Sequence, residues 1–253
     1  MNNYRTIWIS DLHLGTRGCS ADKILRFLKE NNADTIYLVG DIVDGWRLSK
    51  KFYWPQSHND VIQKLLKKAR KGTKIIWVAG NHDEFLNNFI GNFFGNIEIV
   101  DEISHTINDK KILIIHGDKF DGITKYHKWL ALLGDYAYTV LLVVNSHLHS
   151  IRKYLGLKPW SLSSFLKQKV KQAVNFISDY ETTISNECVR RKYDGIICGH
   201  IHKAEIKTIN NILYMNCGDF VEGNTALVED FDGNITLLHV TDDSIIPIET
   251  IKL

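Results

Sequence analysis

The stretch TIWISDLHLG, Thr6 to Gly15, joins a run of apolar β-formers to an aspartate and a histidine one residue apart. The apolar run predicts a buried strand, whose interior has no use for a carboxylate or an imidazole. Side chains at positions i and i+2 of a strand point to one face, so one cation could bind both Asp11 and His13, with Leu12 facing the core. The stretch therefore predicts half of a metal site, and a capped strand end is the alternative.

Four further blocks of polar residues follow apolar runs later in the chain: GDIVD (Gly40–Asp44), GNHD (Gly80–Asp83), HGD (His116–Asp118) and GHIH (Gly199–His202). If these strands lie together, their polar ends meet at one rim of the sheets, where α/β folds bind ligands. Such a cluster is costly to bury without cations. Mixed oxygen and nitrogen ligands suit Mn²⁺, Fe or Zn²⁺ better than Ca²⁺ or Mg²⁺. We therefore expect two divalent metal ions, with Mn²⁺ as the first candidate.

Strand and helix signals alternate in the first half of the chain. Helical patterns over residues 21–30, with Ser20 as N-cap, and 59–71 separate apolar runs at 6–10, 35–39 and 74–79. From residue 195 onward, short strands separated by turn residues predict a second, largely antiparallel sheet. We therefore predict an α/β fold with two packed mixed β-sheets flanked by helices.

The middle of the chain has a helical pattern and no strand signal of comparable strength. We predict a catalytic core of residues 1–122 and 193–253, interrupted by an inserted helical cap of residues 123–192. Over Ile123–Ser178 the sequence has eight Lys or Arg residues and one acid, Asp135. This basic segment is either a solvated helix face or a surface for phosphate or an anionic membrane.

Bulk composition sets the class of protein. The chain has 253 residues, a formal net charge of +2 and four cysteines without CxxC pairing, which is typical of a globular protein with free thiols. The first residues lack the charged and apolar regions of a signal peptide, and the apolar stretch at Tyr136–Val144 is too short to span a bilayer. We expect a cytoplasmic protein that can still lie on a membrane surface. We expect no nucleic-acid partner, and the oligomeric state stays open.

The ordered set D-x-H, G-D-x-x-D, G-N-H-D, H and G-H-x-H resembles the calcineurin-like metallophosphoesterase superfamily. The resemblance implies a four-layer sandwich and a dimetal phosphohydrolase. It assigns one metal ion to Asp11, His13, Asp41 and His202, and the second to Asp41, Asn81, His116 and His200. His82 would lie beside the metals and orient or protonate the reacting phosphate. Asp44 and Asp83 would support the ligands or form turns.

The stretches SDLHLG, VGDIVDGW, GNHDEF, HGDKFD and GHIHKAEI, with the basic insert, are similar to bacterial UDP-2,3-diacylglucosamine pyrophosphatases and their sister group. This implies hydrolysis of UDP-2,3-diacylglucosamine to UMP and 2,3-diacylglucosamine 1-phosphate in lipid A biosynthesis, on the cytoplasmic face of the inner membrane. The candidate substrate contacts are Asp121, Tyr126, Lys167 and Lys171. The best-known branch has Arg where this chain has His82. The alternative is therefore a phosphodiesterase or phosphatase of soluble nucleotides that uses the same dimetal centre.

Overall fold

The computed structural model describes the backbone of residues 2–123 and 162–252, and the side chains of residues 2–120 and 174–252. The chain divides into two compact units: one is Met1–Lys119 with Thr183–Leu253, and the other is Phe120–Thr182. The predicted cap of residues 123–192 stays a prediction, because residues 124–161 lie outside the described ranges. All five sequence blocks belong to the first unit.

Two mixed sheets form the first unit, as predicted. The larger sheet contains, in spatial order, β13 (Ile245–Lys252), β12 (Asn234–Val240), β11 (Thr225–Glu229), β1 (Asn2–Ile9), β2 (Asn31–Val39), β3 (Lys74–Val78), β5 (Ile97–Val100) and β4 (Phe93–Phe94). Within it β1, β2, β3 and β5 run parallel, and the other neighbours pair antiparallel. The smaller sheet contains β6 (Glu102–Ile107), β7 (Lys110–Ile115), β8 (Gly195–Cys198), β10 (Ile212–Asn216) and β9 (Glu205–Ile209).

The helices include two that lie close to their predicted positions, residues 21–30 and 59–71, and one, at Gly45–Lys50, that was not predicted. They are α1 (Ala21–Glu30), α2 (Gly45–Lys50), α3 (Gln56–Arg70) and α4 (Leu162–Arg190), with 3-10 turns at Glu84–Phe89 and Asp118–Ile123. Ser20 occupies the N-cap position of α1, although its side chain makes no capping hydrogen bond. No helix within the described ranges is long and apolar enough to cross a membrane.

Strand β1 shows how the layers are built, because its residues alternate between two hydrophobic cores. Ile7 and Ile9 belong to the core that includes Phe27 of α1 and Leu65 of α3. Trp8 faces the core between the two sheets. Each fully buried side chain of this size contributes about 1.5–3 kcal/mol through removal of apolar surface from water. Both faces of β1 are therefore buried, which fixes the end of this strand as a rigid base for the residues that follow.

The prediction that the C-terminal strands form a separate, largely antiparallel sheet is wrong. β11 pairs antiparallel with β1, with Ile7 opposite Val228, so the last three strands extend the larger sheet. In the smaller sheet the central strands β7, β8 and β10 are parallel. Apolar runs of this kind fit either sheet equally well, because both sheets bury at least one face.

Candidate metal centre

The five blocks lie at the carboxyl ends of five strands, three in the larger sheet and two in the smaller. Asp11 and His13 follow β1, Asp41 follows β2, Asn81 and His82 follow β3, His116 follows β7, and His200 and His202 follow β8. Donor atoms from both sheets approach one another closely. Nε2 of His116 lies 3.3 Å from Oδ1 of Asp41, and Nε2 of His202 lies 3.1 Å from Oδ1 of Asp11. The predicted convergence of the blocks is therefore present in the structure.

Asp11, His13 and His202 form a group whose potential ligand atoms all lie within 4.8 Å of one another. Oδ1 of Asp11 lies 3.7 Å from Nε2 of His13. The Nε2 atoms of the two imidazoles are only 3.3 Å apart. Two ring nitrogens and one carboxylate oxygen directed at the same small volume form a donor set suited to a transition-metal ion.

Asp41, His116 and His200 form a second group under the same 4.8 Å limit. Nδ1 of His116 donates to the carbonyl oxygen of Val39, 2.9 Å away, and this fixes the ring with Nε2 towards Asp41. Oδ2 of Asp41 lies 3.9 Å from Nε2 of His13, which belongs to the first group. Asp41 therefore lies between the two groups, where a carboxylate shared by two cations would lie.

Asn81 supplies an observation that tests whether these residues fit a metal. Its Oδ1 is buried and has no hydrogen-bond partner within the part of the chain that the structure describes. An unpaired buried acceptor is costly, and a cation bound to it removes that cost. The surrounding carboxylates and imidazoles are the donor types that transition metals bind in proteins. The residues present therefore fit divalent metal ions.

His82 lies beside both groups and remains partly open to solvent, with 14% of its side chain exposed. Nδ1 of its ring lies 3.0 Å from Oδ1 of Asp44, and its Nε2 lies 3.9 Å from Oδ2 of Asp41. Its backbone N–H donates to Oδ1 of Asp41 over 2.7 Å. The potential ligand atoms of His82, His13 and Asp41 also lie within 4.8 Å of one another. These distances fit a metal-ligand role for His82 as well as the predicted role beside the metals.

The backbone at the predicted ligands adopts an uncommon conformation. Half of the ten non-glycine residues with positive φ in the described ranges are predicted ligands: Asp11 (φ 52°), His13 (φ 49°), Asp41 (φ 54°), His200 (φ 70°) and His202 (φ 56°). Such residues cost about 1–2 kcal/mol each and cluster at functional sites. The strand explanation for the Asp11–His13 spacing is therefore wrong, since β1 ends at Ile9 and left-handed backbone aims both side chains. Leu12 is fully buried in the core, as predicted.

Two glycines let the ligands approach the backbone of neighbouring blocks. A Cβ atom on Gly80 would lie 2.4 Å from Oδ1 of Asp41, and one on Gly199 would lie 2.4 Å from Oδ2 of Asp11. No real Cβ contact is that short, so any other residue here would displace the carboxylate. The glycine at the start of each of these two blocks is therefore required, because the carboxylate of a neighbouring block packs against it.

Asp83 supports the block that contains Asn81 and His82, as predicted. One of its oxygens accepts the backbone N–H of Gly80 at 2.6 Å, and the other accepts the N–H of Ile42 at 3.0 Å and Nε1–H of Trp77 at 3.0 Å. This carboxylate thus joins the loops that follow β2 and β3. Burial is the main cause that raises its pKa, with the nearby Asp41 charge adding to it.

The charges of the two groups depend on one another. Burial opposes the charged imidazole of His13, but Asp11 and Asp44 outweigh it and raise the pKa to about 9. Burial likewise opposes charge on His116, while Asp41 raises its pKa to about 10. For Asp41 burial opposes the charged carboxylate, yet His116 lowers its pKa to about 2. The carboxylates are thus held ionised by protons on the neighbouring imidazoles, and a cation bound there would take the place of those protons, because histidine coordinates a metal in its neutral form.

Residues 4–204 match the family model of the calcineurin-like phosphoesterases. The chain belongs to this family. It is similar to UDP-2,3-diacylglucosamine hydrolase of Photorhabdus laumondii, with 26% identity over 210 residues, covering 78% of this chain and 82% of that protein. The hydrolase of the same name from Chromohalobacter salexigens is 30% identical over 134 residues, or 51% and 54% of the two chains. Among solved structures, the phosphoesterase Yfce of E. coli matches with a TM-score of 0.48 and 15% identity over 97% of each chain.

As a calcineurin-like phosphoesterase, the chain is a metal-dependent hydrolase of phosphoric ester or anhydride bonds. This confirms the predicted family and reaction class, and the family together with the donor clusters supports divalent metal ions at the site. The individual ligand and catalytic roles assigned from the sequence stay predictions.

The predicted substrate contacts of this phosphoesterase lie outside the described side chains. Tyr126 lies outside the described residues, and Asp121, Lys167 and Lys171 are described only in their backbone. Sequence reasoning missed a residue that borders the site: the ring of Trp46 lies 4.4 Å from the ring of His82 between centroids. Its position directly after the GDIVD block and Gly45 was the available signal.

Proposed function

We propose that this phosphoesterase hydrolyses the pyrophosphate of UDP-2,3-diacylglucosamine, releasing UMP and 2,3-diacylglucosamine 1-phosphate. The observation that carries the proposal is the pair of donor groups joined through Asp41, an arrangement suited to clamping a phosphoryl group. The relatives named UDP-2,3-diacylglucosamine hydrolase support the choice of substrate. The inferred place of action is the cytoplasmic face of the inner membrane, where the lipid-linked nucleotide sugar would be met.

We infer that two divalent metal ions serve this reaction, with Mn²⁺ as the first candidate and Fe or Zn²⁺ as alternatives. Asp11, His13, Asp41 and His202 would hold one, and Asp41, Asn81, His116 and His200 the other. Bound there, the cations would supply positive charge for the phosphoryl oxygens and lower the pKa of the attacking water. Asn81 favours this assignment, because its amide oxygen is buried without a partner in the described part of the chain.

The protein's own residues would position the substrate. His82 is the imidazole of its block, it is partly exposed, and Asp44 lies within 3.0 Å of its Nδ1. With the carboxylate of Asp44 beside Nδ1, Nε2 would donate to a phosphoryl oxygen or protonate the leaving phosphate, which is a typical histidine role. The predicted cap residues Asp121, Tyr126, Lys167 and Lys171 would contact the sugar and pyrophosphate.

One observation favours a second candidate function. His82 stands where the best-known branch of the lipid A pyrophosphatases has Arg, and a histidine is the general residue of the superfamily. The same dimetal centre would then hydrolyse soluble nucleotides as a phosphodiesterase or phosphatase.

The two candidates separate in a direct assay. The purified chain is stripped with a chelator, reloaded with Mn²⁺, and given UDP-2,3-diacylglucosamine in detergent micelles or soluble nucleotides such as UDP-glucose and cyclic AMP. The proposal expects UMP and the lipid phosphate as products, and no turnover before reloading. Rapid turnover of the soluble nucleotides with none of the lipid would assign the second function instead.

A further inference from the structure

A group of large apolar side chains lies exposed on two neighbouring segments of the first unit, which contains the five sequence blocks. We call it the aromatic edge: Trp46, Phe85, Phe89, Ile90, Phe93 and Phe94. Phe93 is 64% exposed and Phe94 is 55% exposed, and the others are 41–44% exposed. Soluble monomers seldom expose so many large apolar side chains in one short segment unless the surface binds something.

Hydrogen bonds join the two segments into one surface. Nε1–H of Trp46 donates to Oε1 of Glu84 at 3.0 Å. The N–H of Gly45 donates to the carbonyl oxygen of His82 at 2.8 Å. A Cβ atom on Gly45 would lie 3.3 Å from the ring of Phe85. Trp46 and the segment from residue 84 onward are therefore held together by direct contacts.

The backbone beneath the aromatic edge is already hydrogen-bonded. Strand β4 pairs with β5, placing Phe93 opposite Glu98 and Phe94 opposite Ile97. The N–H of Gly91 donates to the carbonyl oxygen of Ile99 at 2.9 Å, and the N–H of Ile99 donates to the carbonyl oxygen of Asn92 at 3.1 Å. The side chains can thus enter an apolar medium with few backbone groups losing water. At two residues, β4 is also too short to pair well with a strand from another protein.

The unpaired charges beside the Trp46 end of the aromatic edge are positive within the described ranges, and Glu98, opposite Phe93, is paired with Lys74 at 3.1 Å. Arg47, Lys50 and Lys51 are exposed, and none of them forms an ion pair within the described part of the chain. The segment from Trp46 to Phe52 contains no acid, and residues 84–94 contain only Glu84, which accepts the Trp46 hydrogen bond. Aromatic side chains beside unpaired cations suit the interface of an anionic bilayer, where each cation near the surface adds about 1 kcal/mol of attraction.

The aromatic edge borders the metal centre. The ring of Trp46 lies 4.4 Å from that of His82, and the α2 helix it belongs to begins after Asp44. We propose that the aromatic edge docks this unit on an anionic phospholipid surface, with the rim of the site beside the lipid. The use of this surface to collect a diacylated substrate rests on the proposed function, whereas the docking itself does not.

Vesicle sedimentation tests the docking without any substrate. The full chain is mixed with vesicles of phosphatidylcholine alone, or of phosphatidylcholine with an equal amount of phosphatidylglycerol. We expect strong binding only to the anionic vesicles. The double substitution Phe93→Ser/Phe94→Ser should weaken that binding about tenfold or more, because it removes the two most exposed apolar side chains of the edge.

The opposite border of the same sheet offers a matched control. Ile246 and Ile248 of β13 are 47% and 57% exposed, and β13 and β4 are the two end strands of the larger sheet. The substitution Ile246→Ser/Ile248→Ser should bind anionic vesicles as the unmodified chain does. A second variant, Lys50→Glu/Lys51→Glu, should lose most of the preference for phosphatidylglycerol, so that the test does not depend on one variant folding well.

The results that would overturn the docking are distinct. They are no binding of the unmodified chain to either vesicle, or an equal loss in the β13 control. Self-association of the chain that Phe93→Ser/Phe94→Ser abolishes, without vesicle binding, would assign the surface to a second copy and also overturn it. Hydrolysis of UDP-2,3-diacylglucosamine in micelles is measured separately, so a failed docking leaves the proposed function standing, and the converse also holds.

Discussion

The carboxylate of Asp44 holds two imidazoles at once, with Oδ1 3.0 Å from Nδ1 of His82 and Oδ2 3.3 Å from Nδ1 of His13. Burial opposes its charge, but the two histidines and the N–H of Arg47 hold the pKa of this carboxyl well below its usual value. Residues that orient metal ligands in this way typically change affinity or activity by about 10- to 100-fold when they are replaced. We expect Asp44→Asn to lower kcat by an amount in that range, measured as Mn²⁺-dependent hydrolysis.

The matched control is Asp34→Asn, an exposed aspartate on β2 far along the strand from the site. It should leave kcat unchanged. An Asp44→Asn enzyme with unaltered kcat and metal content would show that the carboxylate does not position these rings.

Asp41→Ala tests the shared carboxylate. Its side chain approaches both donor groups, with Oδ1 3.3 Å from Nε2 of His116 and Oδ2 3.9 Å from Nε2 of His13. Its loss removes a ligand from each proposed metal ion, so we expect activity to fall to background and the bound metal per chain to drop, as measured by elemental analysis after dialysis. Retained activity would refute the dimetal interpretation.

Gly80→Ala tests close approach at the site without changing any charged group. The added methyl carbon would lie 2.4 Å from Oδ1 of Asp41, so the carboxylate must move and metal affinity should fall, measured by titration of the stripped protein with Mn²⁺. Gly72→Ala is the control, because Gly72 has φ +105° and no atom within 4 Å of its added Cβ. That variant should lose about 1 kcal/mol of unfolding free energy and keep its metal affinity. Equal affinity of both variants for Mn²⁺ would contradict the steric account.

We expect Lys68 to contribute an increase in the unfolding free energy as the pH rises above about 8. Its Nζ donates to the carbonyl oxygen of Asn31 at 2.7 Å and to Oδ1 of Asn32 at 3.0 Å. Burial, and then repulsion from Lys64 and Lys71, lowers its pKa to about 8. The unfolded chain holds this proton up to a pKa of about 10.4, so between these values the unfolded state binds more protons at this site and the contribution of Lys68 to the unfolding free energy increases with pH.

Urea unfolding at pH 7.5, 9 and 10 measures this contribution as the difference between the unmodified chain and a Lys68 variant. Lys68→Met should remove the contribution of Lys68, so the unfolding free energy of the variant should increase less over that interval. Lys67→Met, at the exposed neighbouring position on α3, should keep the increase seen in the unmodified chain. Parallel pH curves for all three proteins would exclude Lys68 as the source.

The sequence could predict the strands that are buried on both faces and the helices between them. The helix predicted over residues 21–30 is α1, and the strand predicted over residues 35–39 lies within β2. Two of the strands that were missed, β13 and β6, lie at the sheet borders. β13 contains Pro247 and is largely exposed, and β6 alternates exposed and half-buried residues, so neither has an apolar run. The assignment of β11 to the larger sheet needs a pairing partner, β1, that no local pattern specifies.

Much of the site could be predicted, because few residue types can bind a metal ion, and these types can be recognised in the sequence without knowing the local backbone conformation. The blocks converge as expected from their positions after apolar runs. The backbone that aims them could not be predicted, since left-handed φ values at Asp11 and His200 depend on contacts from the rest of the fold. The hydrogen bond from the N–H of His200 to Oδ2 of Asp11 is one such contact. The spacing of Asp11 and His13 suggested an alternating strand. The two side chains do lie close together, but left-handed backbone rather than a strand brings them there.

That hydrogen bond spans 189 positions of the chain, and β1 is flanked on one side by a strand that starts only at Thr225. A ribosome must therefore release most of the polypeptide before the first ligand block meets the last. Until then, Asp11 and His13 have no His200 or His202 beside them, and one edge of β1 has no partner. If metal ions bind these blocks as proposed, their loading would be a late event in the life of each molecule, after synthesis of the C-terminal strands rather than during that of the N-terminal ones.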